Sequence, residues 1–294
     1  MALIAEEDFR ALASSVDRRL AWGAGDELGA LRFVTAAATL AAAAEVRDGT
    51  VIACASRSRG ALRTLKGTVD VADEWLAVNE TVSYAGHGPD SMTHLDSLGH
   101  FFYQGRSHAD ADRAVVGPDG VRALDVVAAA SGIAGRGLLL DLAAIAGTPH
   151  VHIDRVVTLG EIRGRLEQAG VAPRAGDILF VRTGAPLAPE DPASGLPAVG
   201  TLGLECARWI HDERFSLIVS DAGLDTPRPT VERVATPWHV LAITRMGLSL
   251  VDFADLEALA AACTVADRLT FLAVVAAPPL AGATSAPVNP LAVL

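Results

Sequence analysis

The chain is short of cysteine, of basic residues and of aromatics, and each shortage removes a class of function. Its three cysteines, Cys54, Cys206 and Cys263, lie in apolar surroundings without a CxxC pair. That argues against a disulfide framework or a thiolate metal site and fits a reducing cytosol. Twenty-four Lys and Arg stand against 35 acidic residues, a net charge of −11. With no basic block to meet a phosphate backbone, nucleic acid is not an expected partner. Aromatics are only 5% of a chain that is 51% hydrophobic, so the expected core is built from Ala, Leu and Val. The most apolar stretches, FVTAAATLAAAA (33–44) and LTFLAVVAAPPLAGA (269–283), are too short or too broken by proline and glycine to cross a membrane. The opening MALIAEEDFRAL lacks the basic and apolar regions of a signal peptide. A cytoplasmic protein acting on a small molecule is the expectation. No GxSxG elbow, Walker loop or Rossmann fingerprint occurs, so serine-hydrolase, nucleotide-binding and dehydrogenase chemistry have no anchor.

What is present is an alternation of helices and short buried strands. Thr35 caps an Ala-rich helix over 36–46, followed by a strand in TVIACAS (50–56). LGEIRGRLEQAG (159–170) has helical spacing and precedes the apolar strand ILFVRTG (178–184), and LECARWIHDERF (204–215) feeds SLIVSDAG (216–223). A helix over 251–263 and a strand over 268–278 follow, and the tail LAGATSAPVNPLAVL is rich in turn formers. With no linker or repeat to divide it, residues 1–294 are expected to form one α/β domain.

The chemistry gathers in DSMTHLDSLGH (90–100). Imidazole nitrogens beside carboxylate oxygens are what a divalent cation requires. If the stretch is extended, His94, Asp96, Leu98 and His100 alternate in one sense and Asp90 falls on the same side. Other candidates have structural readings. His108 with Asp110 and Asp112 is a second possible ligand set but reads better as a solvated loop, and His150 and His152 match no functional element; Asp221 at a strand end either faces the site or, before Ala-Gly, forms a turn, and Arg136 between two glycines either contacts a substrate or forms a turn.

The stretch resembles the mark HxGTHxDxPxH of the cyclase-like metal-dependent hydrolases, which include bacterial kynurenine formamidase and isatin hydrolase. Thr93, His94, Asp96 and His100 match it, while Asp90, Met92 and Leu98 stand where the mark has histidine, glycine and proline. The likeness continues through WGAGDELGALRFVT (22–35), GIAGRGLLLDLA (132–143), GDILFVRTGAP (176–186), HVLAITRMGLSLVD (239–252) and SAPVNPLAV (285–293). It implies a swivelling β/β/α fold with a mainly parallel central sheet, in a homodimer or higher homo-oligomer. It also implies a divalent metal, Mn²⁺ or Zn²⁺, held by His94 and Asp96, with His100 moving the proton. His239 and Asp252 would form a second metal position or an active-site wall. Asp90 is the candidate to replace the missing histidine as ligand, with His87 as substitute. The implied activity is hydrolysis of an amide C–N bond in an aryl formamide or small cyclic amide. Two readings stand beside it: a cyclase or dehydratase of secondary metabolism using the same Lewis acid, and a non-catalytic binding protein on a degenerate scaffold.

Overall fold

The structure, a computed structural model, describes residues 3–56, 63–72, 75–84 and 91–294. Its frame is a nine-stranded sheet. Named by their first residues, the strands lie in the order Val51, Leu291, Thr270, Ile133, Ile178, Leu217, Ser249, His94, Ser285. Ile133–Asp141, Ile178–Arg182, Leu217–Ser220 and Ser249–Asp252 run parallel at the centre. Antiparallel strands extend the sheet on both sides.

The central strands read as near-continuous apolar runs because both of their faces are covered. Leu179, Val181, Ile218 and Leu250 point into one buried cluster. Their neighbours Ile178, Phe180, Leu217, Val219 and Val251 point into a second on the opposite face. This is the period-two alternation of a strand expressed with apolar residues on both sides. Helices complete the layers, and two of them start as the sequence predicts. Thr35 accepts from the Ala38 amide to begin Ala36–Ala43, and Thr158 with Glu161 forms a capping box on Leu159–Gln168.

Three expectations are corrected. The helix predicted over 251–263 is two elements: the strand Ser249–Asp252, then the helix Glu257–Val265, separated at Phe253 by a left-handed backbone (φ 56°). The tail read only as turns contributes two strands, Ser285–Pro287 and Leu291–Val293. Arg136, read as a substrate contact or part of a turn, lies inside the strand Ile133–Asp141 and forms a buried bidentate pair with Asp177 at 2.9 and 2.6 Å. It is occupied in the core and offers nothing to a substrate. No helix among the described residues is long and apolar enough to cross a membrane.

Candidate active site

The site lies where the parallel strands end, the usual position for ligands in open α/β sheets. His94–Asp96 is a short strand held antiparallel between Ser249–Asp252 and Ser285–Pro287. Its register sets His94 directly opposite Asp252, so the two side chains share a face. The His94 Nδ1 lies 2.7 Å from the Met92 carbonyl. A carbonyl only accepts, so Nδ1 carries the proton and Nε2 is left facing Asp96 Oδ1 at 3.5 Å.

His100 reaches the same place by a different route from the one its spacing suggests. The strand ends at Asp96, and the chain turns through Ser97–Gly99 with the His100 amide donating to the Ser97 carbonyl at 3.0 Å. Leu98, which the alternating pattern would aim beside the polar groups, is buried in the core. The turn returns the His100 Nε2 to 3.8 Å from Asp96 Oδ2.

His239 closes the short helix Pro237–His239, whose continuation, Val240–Met246, is π-helical, a local widening of the helix frequent at functional sites. Its Nε2 stands 3.5 Å from Asp252 Oδ2 and 3.9 Å from Asp96 Oδ2. Its Nδ1 is 2.6 Å from Asp225 Oδ2. Asp225 escapes sequence reasoning. The only signal was a second aspartate four residues after Asp221, in the loop leaving the strand Leu217–Ser220. Gly223, at φ +68°, carries that loop past Asp252, whose Oδ2 would lie 2.9 Å from an added Cβ.

The donor atoms therefore form two overlapping groups, His94 with Asp96 and Asp252, and Asp96 with His100 and His239, each set lying within 4.8 Å. Asp96 belongs to both. Burial, then the charge of Asp252, holds the Asp96 carboxyl well above the usual range. Burial alone would lower His239, but its hydrogen bonds to Asp225 and Asp252 hold it well above the ordinary imidazole value. Burial would raise Asp252, yet the His239 hydrogen bond and the neighbouring imidazoles bring it below the usual carboxylate value. Asp252 Oδ1 is buried without a hydrogen-bond partner among the described residues. Carboxylates crowded in a dry site beside imidazole nitrogens are what a divalent cation relieves, and a nitrogen–oxygen donor set suits Zn²⁺ or Mn²⁺ better than a soft ion. The residues fit such an ion. Asp90 and His87, the other ligand candidates, lie outside the described residues.

The Cyclase family model ("Putative cyclase") matches residues 32–226. The chain belongs to this family. No curated protein matches it by sequence. Among solved structures, a novel cyclase aligns over 96% of this chain and 99% of its own, at 20% identity and a TM-score of 0.82. Isatin hydrolase A from Labrenzia aggregata, bound to benzyl benzoate, aligns over 85% and 94% at 16% identity and a TM-score of 0.55. An isatin hydrolase bound to the product analogue thioisatinate aligns over 88% and 99% at 13% identity and a TM-score of 0.54. At these identities the likeness is one of fold, and it is the cyclase-family fold with its central parallel strands.

The remaining sequence candidates lie elsewhere in the cyclase-family fold. His108 is not in a solvated loop; it is fully buried, with its Nε2 2.8 Å from Asp26 Oδ2. Asp110 and Asp112 pair with Arg19 and Arg106 at the surface. Asp221 is fully buried and accepts from the Thr183, Gly184 and Ala185 amides and the Thr183 hydroxyl, so it fixes the loop after Ile178–Arg182. His152 is exposed.

Thr93, matched in the sequence mark, has a mechanical role. Its hydroxyl accepts from the Ser56 amide at 2.7 Å and donates to the Phe253 carbonyl at 2.6 Å. It thus clamps the residue whose left-handed backbone ends the strand carrying Asp252. Thr93→Val would leave a carbonyl and an amide unsatisfied and should destabilise the fold by about 1–3 kcal/mol, whereas Thr93→Ser should stay near wild type. Urea unfolding of both variants checks this, and equal stability of the two would remove the clamp.

Proposed function

We propose that the chain is a metal-dependent hydrolase that cleaves an amide C–N bond in an aryl formamide or a small cyclic amide. The observation that carries this reading is the convergence of His94, Asp252, His100 and His239 on one buried carboxylate, Asp96. That convergence opens on a cavity of about 220 Å³. His94, Asp96 and Asp252 would hold the cation, with Asp90 as a further ligand and His239 at a second position. A divalent ion bound there supplies Lewis acidity, polarising a carbonyl and making water more acidic. Leu196 and Phe253 give the cavity an apolar wall against which a small ring can lie. His100, at its rim and 19% exposed, is placed to deliver a proton to the departing nitrogen. With water made more acidic in this way, bond cleavage needs no covalent intermediate. The isatin hydrolases that share the fold agree with a cyclic amide substrate.

A second reading follows from the family's name: ring closure or dehydration of a ketone at the same Lewis-acid site. We also place the protein in the cytosol, where its three buried, unpaired cysteines stay reduced, and assign it a homodimeric state, which light scattering tests. The remaining alternative, a non-catalytic binding protein, is separated from both enzymes by metal content. Elemental analysis followed by a screen of aryl formamides, isatin and lactones is the deciding experiment. Dialysis against a chelator should abolish turnover, and Mn²⁺ or Zn²⁺ should restore it. Full activity in metal-free protein would sink the hydrolase mechanism. Bound metal without hydrolysis of any amide would favour ring closure.

A further inference from the structure

We propose that Asp225 is a positioning residue that fixes the orientation and tautomer of the His239 ring, so that Nε2 is presented to a cation shared with Asp96. The inference rests on the metal-site reading above and adds a residue to it.

The geometry is specific. Asp225 Oδ2 accepts from both the backbone amide and the Nδ1 of His239, at 3.1 and 2.6 Å, while Oδ1 accepts from the Trp238 amide at 2.8 Å. One oxygen thereby ties the imidazole to its own backbone, which removes the ring's rotational freedom. A carboxylate only accepts, so Nδ1 carries the proton in every state of the ring, and the ligating lone pair is confined to Nε2. That atom is the one 3.9 Å from Asp96 and 3.5 Å from Asp252. Carboxylates behind metal-binding imidazoles act in this way generally.

The same carboxylate also starts the helix. Thr236, at the N-cap position, makes no side-chain cap bond, and Asp225 satisfies the first amides in its place from thirteen and fourteen residues upstream. Capping alone would explain the two backbone bonds but not the ring bond. Among the described residues Asp225 forms no ion pair other than the one with His239. A carboxamide cannot reproduce the set. Whichever way the side chain introduced by Asp225→Asn were turned, its NH₂ would face a backbone amide, and its oxygen would accept more weakly.

A double-mutant cycle in Zn²⁺ affinity, measured by competition with a chelating dye, separates positioning from capping. Asp225→Asn should weaken binding about 10- to 100-fold in the wild-type background. In the His239→Ala background it should change binding by less than about 2-fold, because the group through which it acts is gone. Equal losses in both backgrounds would reduce Asp225 to a helix cap and overturn the proposal. If wild type binds no metal, the metal-site reading fails on its own, and the orientation is read directly by NMR of [¹⁵N]histidine-labelled protein. A downfield, slowly exchanging Nδ1 proton assigned to His239 and lost in Asp225→Asn supports the proposal. Its absence from wild type overturns it.

Discussion

His100→Ala should lose roughly 10²–10⁴ in kcat, the range for removing a general acid–base group, while the metal content stays at the wild-type level. His100 is the most exposed of the imidazoles around Asp96, at 19% against 3% for His94 and 13% for His239. It comes from a turn, whereas His94 is pinned in the sheet and His239 is tied to Asp225. A group that must meet a leaving nitrogen needs access to the cavity, and one that must hold an ion needs a fixed lone pair. The exposure of His100 suits it to the first task, and the anchoring of His94 and His239 suits them to the second. The measurement is steady-state kinetics alongside elemental analysis of the variant. Metal lost together with activity would make His100 a ligand and reassign the proton transfer.

How much of this site could be read beforehand depended on how far apart in sequence its parts lie. His94, Asp96 and His100 are legible because one seven-residue stretch carries them, and the family resemblance extended the reading to His239 and Asp252. The reason those three converge was not legible. Alternation was the wrong geometry, and the turn through Ser97–Gly99 that replaces it depends on contacts such as the Gly99 amide to the Leu124 carbonyl. Asp225 was invisible because its role exists only once the loop after Leu217–Ser220 folds against the helix at His239. The central strands could be recognised from apolar runs buried on both faces. The strands Ser285–Pro287 and Leu291–Val293 could not, since three-residue segments carry no periodicity and form only against partners supplied by distant chain. The helix predicted over 251–263 failed for a related reason. The pattern continues apolar across Phe253, and only the backbone reversal there divides strand from helix.

Asp96→Asn should abolish metal binding and activity, yet make the metal-free protein more stable. The first half follows from position: Asp96 belongs to both donor groups, so its loss should cost more than the roughly 10- to 100-fold expected for a supporting residue. The second half follows from electrostatics. Asp96 is 1% exposed, and burial together with Asp252 holds its carboxyl well above the usual range. The folded metal-free chain therefore binds that proton more tightly than the unfolded chain does. For such a group, stability is lost as pH rises from about 4, where an unfolded aspartate ionises, through the raised folded value. Asparagine fills the same volume and never ionises, so the loss disappears. In chelator, urea unfolding near neutral pH should find Asp96→Asn more stable than wild type by on the order of 1–2 kcal/mol, with the gap closing towards about pH 4. With Zn²⁺ in excess the order should reverse, because only wild type gains binding energy on folding. A variant less stable than wild type in chelator would mean that Asp96 holds the apo fold together and is not a charge kept there for the ion.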